Sequence, residues 1–203
     1  MDAEAGVLRE RAAALRAEAY RLLRGTGALE VIHDLVGTVE VVGSVDLDLM
    51  VWPDIDLYTR LHPHEGQRLL SVVPALHGCM ERQGYPVVRA SFNDEYRRPG
   101  NPYGEGLYCG WKLLSPDRER VWKIDLWAWD DAAFEAKMAE HQQLARSLAR
   151  ADRDLVLRIK DAVHVRREYR DTITSRDVYD FALSGHGTSI RDFDDFVARR
   201  GDG

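Results

Sequence analysis

The chain has 203 residues, of which 45% are hydrophobic and 31% are charged, and its net charge is −6. This length suits one compact domain, or a small catalytic domain with a helical appendage. The acidic balance disfavours a non-specific nucleic-acid binder, which normally carries a basic face. No apolar run reaches the roughly 18 residues of a transmembrane helix.

The N-terminal region predicts an amphipathic helix over residues 3–24, because apolar residues recur at helical spacing at Leu8, Ala12, Leu15, Ala19 and Leu22. A Gly-Thr-Gly sequence ends it, and residues 28–35 form a second short helical piece. The same region lacks the basic and apolar segments of a signal peptide, so we expect a cytoplasmic protein. The cysteines, Cys79 and Cys109, have no CxxC partner and are predicted to be free thiols.

The stretch 39–58 carries the most informative pattern. A strand ends at the dipeptide Gly43-Ser44, and a second strand places Asp54 and Asp56 on one face, because residues i and i+2 of a strand point the same way. Two such carboxylates repel each other unless a cation lies between them. Mg²⁺ prefers oxygen ligands of this kind and is usually held together with substrate phosphates. A small Gly-Ser turn lets backbone N–H groups and a hydroxyl approach a phosphate, so the stretch predicts a site for a metal-bound nucleoside triphosphate.

Asp46 and Asp48 form a competing Asp-x-Asp pair. They begin only two residues after Ser44, which is too close for a chain that must cross before it returns as a paired strand. We therefore assign the metal role to Asp54 and Asp56 and interpret Asp46 and Asp48 as solvated loop residues.

A helix is predicted over residues 62–83, with a buried stripe of Leu69, Leu70, Val73, Leu76 and Met80. His62 and His64 lie at its start and are interpreted as capping or solvent-facing residues rather than metal ligands. A strand follows over residues 86–92.

Residues 93–105 have the composition of a loop. Two interpretations of Arg97 and Arg98 stay open there: contact with a phosphate or acceptor, and a solvated hairpin tip.

Residues 107–114 and 120–129 predict a strand pair. Asp125 lies in the middle of the second, strongly apolar strand, where a carboxylate is costly unless it is paired or bound to a metal. A salt bridge to Lys112 or Lys123 is the structural alternative to a site role.

Aromatic residues on the same strand pair either stack a nucleobase or fill the core; these are Trp111, Trp122, Trp127 and Trp129. From Asp130 onward the pattern is helical, with helices predicted over 134–148, 152–169, 176–183 and 189–199.

Gly43-Ser44, nine intervening residues and then Asp54-Ile55-Asp56-Leu57 together resemble the signature of the DNA polymerase β-like nucleotidyltransferase superfamily. The segment MVWPDIDL is similar to small bacterial nucleotidyltransferase-domain proteins and to the antibiotic nucleotidyltransferases. The resemblance covers residues 36–129 by motif and implies that Asp125 is the third catalytic carboxylate.

The resemblance implies an α/β (α+β) fold with a small, mixed, twisted sheet of about five strands. It also implies a catalytic domain over residues 1–129 and a helical C-terminal subdomain over 130–203, with the active cleft between them. In such a site Asp54 and Asp56 would hold two Mg²⁺ ions.

The resemblance further implies that Asp125 would ligate the catalytic ion beside the acceptor hydroxyl, and that Gly43 and Ser44 would hold the phosphates. A basic residue of the helical half contacts the triphosphate in several relatives. Lys160, with Arg158 or His164, is the candidate for this contact with the triphosphate. The alternative is that Lys160 is an ordinary exposed charge on an amphipathic helix.

The activity so implied is transfer of a nucleoside monophosphate from a nucleoside triphosphate, ATP among them, to a hydroxyl of a small molecule, with release of pyrophosphate. Relatives modify aminoglycosides, lincosamides, tRNA ends or protein side chains, and the acidic surface suits a cationic acceptor.

Two other classes of function stay open. One is a non-catalytic nucleotide-binding, regulatory or toxin–antitoxin protein on the same fold, and the other is an unrelated α/β protein. A homodimer formed through the N-terminal helix is a further hypothesis.

Overall fold

The computed structural model describes residues 2–98, 100, 104–169 and 171–201. A five-stranded mixed sheet flanked by helices confirms the predicted α/β class. Its strands are β1 (Val39–Val42), β2 (Asp54–Arg60), β3 (Val87–Asp94), β4 (Leu107–Leu114) and β5 (Val121–Trp129). Their order across the sheet is β1-β2-β5-β4-β3. The β2–β5 pair is parallel and the other pairs are antiparallel.

The helices are α1 (Asp2–Tyr20), α2 (Ala28–Val36), α3 (Gly43–Asp46), α4 (Gly66–Arg82), α5 (Asp131–Leu148), α6 (Arg153–Val163), α7 (Ser175–Ser184) and α8 (Ile190–Gly201). Helix α1 continues into a π-helical turn, Arg21–Gly25. Aspartate side chains cap the first turns of α5, which follows β5, and of α6, which follows α5. Asp130 accepts a hydrogen bond from the Ala133 N–H at the start of α5, and Asp152 caps α6 in the same way.

The helix predicted over 152–169 is wrong in length, because α6 ends at Val163. The chain then forms turns that bring Tyr169 edge-on against Trp52, with ring centroids 5.1 Å apart. The helical spacing of apolar residues does not predict such a contact between residues far apart in the chain.

One face of the sheet carries the main hydrophobic core. Alternate residues of β5 are fully buried beneath α1, α2 and α4, as period-2 alternation requires: Trp122, Ile124, Leu126 and Ala128. The stripe predicted for α4 is wrong at Leu70, which is 42% exposed. Val72 takes its place, and Val73 packs only partly against the core.

A second cluster joins α6, α7 and α8 through residues such as Ile159, Val178 and Phe193. Ala12 of α1 and Leu49 from the segment before β2 also belong to it. Both halves of the chain therefore contribute to this cluster. The division into a catalytic domain over residues 1–129 and a helical subdomain over 130–203 stays a prediction.

Residues 93–105 differ from the predicted loop, because β3 extends to Asp94 and a 3₁₀ turn follows over Glu95–Arg97. Arg97 pairs with Asp94 at 2.9 Å, and Arg98 lies 3.5 Å from Glu95. Residues 99 and 101–103 of this segment lie outside the described residues.

Cys79 and Cys109 are buried free thiols, as predicted. His62 caps a 3₁₀ turn, Pro63–Glu65, which confirms its capping role. Within the described part of the chain, no helix is both long and apolar enough to cross a membrane.

Candidate active site

The carboxylates of Asp54, Asp56 and Asp125 converge on the sheet face opposite the main core. Asp54 and Asp56 project from the same side of β2, and the parallel β2–β5 register sets Asp125 directly beside Asp56. Each residue offers an oxygen, and these three oxygens lie within 4.8 Å of one another. We call this group the acidic triad. It contains the three carboxylates that the sequence singles out.

Burial and mutual repulsion perturb the titration of the acidic triad. Burial, with the neighbouring carboxylates of Asp54 and Asp125, raises the pKa of Asp56 to about 7. Burial also raises the pKa of Asp125, against the opposing effect of Lys123. An oxygen-only set of this density suits a hard divalent cation such as Mg²⁺, which would relieve the repulsion. The residues present therefore fit the expected metal.

Lys123 supplies a positive charge inside this group. Its ammonium donates a hydrogen bond to Asp125 Oδ2, and its Nζ lies 3.7 Å from Asp54 Oδ1. The salt bridge to Lys123, which the sequence offers as the alternative to a site role for Asp125, is therefore present. Asp125 also lies beside the other two carboxylates of the acidic triad.

Gly43 makes a close approach to the acidic triad. It begins α3, where the sequence predicts a turn, and has a left-handed backbone with φ of +64°. A Cβ at this position would lie 2.3 Å from Asp56 Oδ2, so the site requires glycine. Gly43 borders the cleft described below, whereas Ser44 is buried behind it with 8% exposure.

Asp46 and Asp48 are solvated as interpreted, since their side chains are 45% and 44% exposed, and Asp48 lies in a turn. The loop interpretation is wrong only for Asp46. Asp46 lies in α3 and pairs with His141 of α5 at 2.7 Å. Asp48, with φ of +56°, accepts from Arg153 of α6 at 2.9 Å. Both carboxylates join the segment before β2 to the C-terminal helices, and their partners are far away in sequence.

Lys160 lies in the interior, with 1% exposure. Its Nζ donates to the Leu49 carbonyl at 2.8 Å and to the Tyr179 hydroxyl at 3.0 Å. Burial lowers the pKa of Lys160 to about 7, although the carboxylates of Asp56 and Asp54 oppose this shift. The expectation of an exposed side chain is therefore wrong. The ammonium bonds the segment before β2 to α7, and its contact with a triphosphate stays a prediction.

Trp52 connects the acidic triad to the helical half, a role that sequence reasoning missed. Its indole N–H donates to Asp54 Oδ2 at 3.1 Å, and its ring stacks on His164 at 5.2 Å. Arg158, the other candidate beside Lys160, donates to the Thr188 carbonyl at 3.2 Å. The three basic residues predicted to meet a triphosphate thus make internal contacts.

A cleft of about 960 Å³ lies between the triad-bearing face of the sheet and helices α5 and α7. Its floor holds a row of aromatic rings. Trp127 stacks on Trp129 with centroids 5.6 Å apart and an interplanar angle of 6°, and Tyr108 and Tyr58 flank the pair at 4.9 and 4.7 Å. Trp111 and Trp122, by contrast, are core residues. The core interpretation is confirmed for Trp111 and Trp122, and base stacking by Trp127 or Trp129 stays a prediction.

Tyr108 is a further residue that sequence reasoning missed. Its hydroxyl donates to Asp125 Oδ1 at 2.8 Å. Gly110, two residues along β4 and directly opposite Asp125, leaves the space that the ring occupies. A Cβ at Gly110 would lie 2.2 Å from the Tyr108 hydroxyl oxygen. The Tyr-x-Gly spacing in a strand was the available signal.

We expect Gly110→Ala to lower the free energy of unfolding by about 1 to 3 kcal/mol, because overpacking costs this much in a well-packed region. In a Tyr108→Ala background the same substitution should cost less than about 1 kcal/mol, since the opposing ring is gone. Urea unfolding of the four proteins in a double-mutant cycle measures the coupling. If Gly110→Ala lowers the free energy of unfolding equally with and without the Tyr108 ring, the close contact between Gly110 and Tyr108 is contradicted.

Comparison with known proteins adds no assignment to this geometry. Neither a scan against protein-family models nor a search of curated proteins finds a match for this chain. The chemistry of the site therefore rests on its own residues. Clustered carboxylates beside a large cleft can bind a divalent cation, and a perturbed carboxylate can accept a proton.

Proposed function

We propose that this protein is a metal-dependent nucleotidyltransferase of the DNA polymerase β-like type. The observation that carries the proposal is the convergence of Asp54, Asp56 and Asp125 within 4.8 Å at the cleft floor. Gly43 supports it, because its close packing against Asp56 joins the Gly-Ser and Asp-x-Asp parts of the motif in space.

In this proposal the acidic triad holds Mg²⁺, which when bound stabilises charge on the triphosphate and on the departing pyrophosphate. The acceptor hydroxyl oxygen bonds to the α-phosphorus as the bond from that phosphorus to the bridging oxygen breaks. Pyrophosphate leaves, and Asp125 takes the hydroxyl proton. Tyr108 and Lys123 fix the Asp125 carboxylate by hydrogen bonds during this step.

The remaining cleft residues suit the donor nucleotide. Trp127, which is half-buried, offers a stacking surface for a base, and the buried Trp129 ring stacks against it. Lys137 of α5 lines the cleft, with its ammonium 5.9 Å from the centroid of the Trp129 ring, and Arg176 of α7 lines it as well. Arg176 is paired with Glu140 and Asp180, so Lys137 is the residue that offers positive charge toward the triphosphate in addition to Lys160.

Calorimetric titration with ATP, GTP, CTP and UTP, each with and without Mg²⁺, tests the proposal. We expect one triphosphate to bind in a magnesium-dependent manner, with pyrophosphate release once a hydroxyl acceptor is supplied. Absence of magnesium-dependent binding for all four nucleotides would contradict it.

One observation favours a second candidate, a non-catalytic nucleotide-binding protein on the same fold. Lys123 already places a positive charge between Asp54 and Asp125, and such a charge offsets the carboxylates without a metal. Nucleotide binding that is equal with and without Mg²⁺ and gives no pyrophosphate would favour this candidate.

A further inference from the structure

Three basic residues lie side by side across the sheet, next to the acidic triad. Arg89 of β3 is opposite Lys112 of β4, and Lys112 is opposite Lys123 of β5. All three border one small cavity on the triad-bearing face. We call them the basic row.

The basic row is electrostatically unfavourable in isolation, since like charges directly opposite each other destabilise neighbouring strands. Arg89 and Lys112 are exposed, and neither forms an ion pair with any residue that the structure describes. Lys123 contacts Asp125 and Asp54. An anion bound above the row would offset the repulsion between its members.

The cavity beside the basic row has a volume of about 280 Å³. Ser91 and Asn93 add polar groups to its wall, and Tyr108 and Asp125 border both this cavity and the main cleft. A liquid water molecule takes up about 30 Å³, so the cavity accommodates a phosphate group with a few attached carbons.

The position of the basic row separates it from the donor. In the sheet order β1-β2-β5-β4-β3, Gly43 follows β1 on one side of the acidic triad. Arg89 and Lys112 lie on β3 and β4 on the other side. Donor phosphates held near Gly43 therefore leave the basic row to the second substrate.

We propose that the acceptor is a small hydroxylated molecule bearing a phosphate group, which the basic row binds while the acceptor hydroxyl meets Asp125. This inference rests on the proposed nucleotidyl transfer, and its bond changes are those given above. Arg89 and Lys112 offer two cations to a phosphate dianion, since Lys123 is paired with Asp125 and Asp54, and an arginine fork binds phosphate through two parallel hydrogen bonds. Strands lie about 4.8 Å apart, so the long side chains of the row reach one anion.

Matched probes and variants test this inference on the full chain. The probes are ribose and ribose 5-phosphate, glycerol and glycerol 3-phosphate, and a short oligonucleotide with a free 3′-hydroxyl. The variant is Arg89→Gln/Lys112→Gln. Arg150→Gln/Arg167→Gln removes the same charge at exposed positions outside both cavities and is the control. Saturation-transfer NMR without nucleotide reports binding, and pyrophosphate release with Mg²⁺ and the donor reports turnover.

We expect the phosphorylated member of each pair to bind and react in preference to its partner. Arg89→Gln/Lys112→Gln should weaken this preference by roughly 10- to 100-fold, since a hydrogen bond to a charged group contributes about that factor, and the control should not. Equal binding within each pair, or an unaffected double variant, would overturn the inference. Preferred use of the oligonucleotide, or a matching loss of donor affinity in the double variant, would also overturn it.

The two proposals fail separately. If no donor binds with Mg²⁺ yet the phosphorylated probes still bind through the basic row, the transfer reaction is wrong and the anion site stands. If the donor binds and the probes do not discriminate, the anion site is wrong and the reaction stands.

Discussion

Asp54→Ala, Asp56→Ala and Asp125→Asn are each expected to abolish nucleotidyl transfer while the chain stays folded. The loss should be about 1,000-fold or more, which corresponds to about 4 kcal/mol of transition-state stabilisation. Each change removes an oxygen from a group whose members lie within 4.8 Å of one another. The fold should tolerate the changes, because each lessens burial cost or repulsion within a cluster of largely buried carboxylates.

Pyrophosphate release measures the activity, far-UV circular dichroism the fold, and the magnesium-induced rise in melting temperature the cation site. Asp46→Asn is the matched control, because Asp46 belongs to the competing Asp-x-Asp pair and contacts His141. It should keep the magnesium response. Wild-type turnover in any triad variant, or loss of the magnesium response in Asp46→Asn, would contradict the assignment.

Gly43→Ala is expected to lower the free energy of unfolding by about 2 to 4 kcal/mol and to remove activity. A left-handed backbone costs alanine about 1 kcal/mol, and overpacking adds about 1 to 3 kcal/mol. The new methyl group would lie 2.3 Å from Asp56 Oδ2, so the carboxylate must turn away from its two neighbours. Urea unfolding and pyrophosphate release measure the two effects.

Gly84 offers a matched control for the backbone contribution. Its φ is +79°, and a Cβ there would meet no other atom within 4 Å. Gly84→Ala should therefore cost only about 1 kcal/mol and leave activity unchanged. Gly43→Ala/Asp56→Ala should recover part of the stability and none of the activity. Equal costs at the two glycines would show that the contact with Asp56 is unimportant.

Local alternation made much of the fold predictable. Strand residues two apart share a face, so the pairing of Asp54 with Asp56 and the isolation of Asp125 within an apolar strand are visible in the sequence. The register that sets Asp56 beside Asp125 is a property of two strands far apart in the chain. The resemblance to a known family, and not the spacing, supplied that link.

The environment of Lys160 was not predictable in this way. An amphipathic pattern assigns charged residues to solvent. The Lys160 ammonium is instead buried, and it donates hydrogen bonds to a carbonyl and a hydroxyl from other segments. The Tyr108 contact with Asp125 depends equally on a neighbouring strand. Such side chains are positioned by tertiary packing, which overrides what the period of a helix or strand indicates.

The bond from Lys160 to the Leu49 carbonyl joins residues 111 positions apart. The contact ties α6 to the segment that leads into β2, and Asp54 is the first residue of β2. A change in α6 that displaced this ammonium would therefore shift Asp54 within the acidic triad, although no residue of α6 belongs to the triad. The geometry of the acidic triad thus depends on packing in the C-terminal half of the chain.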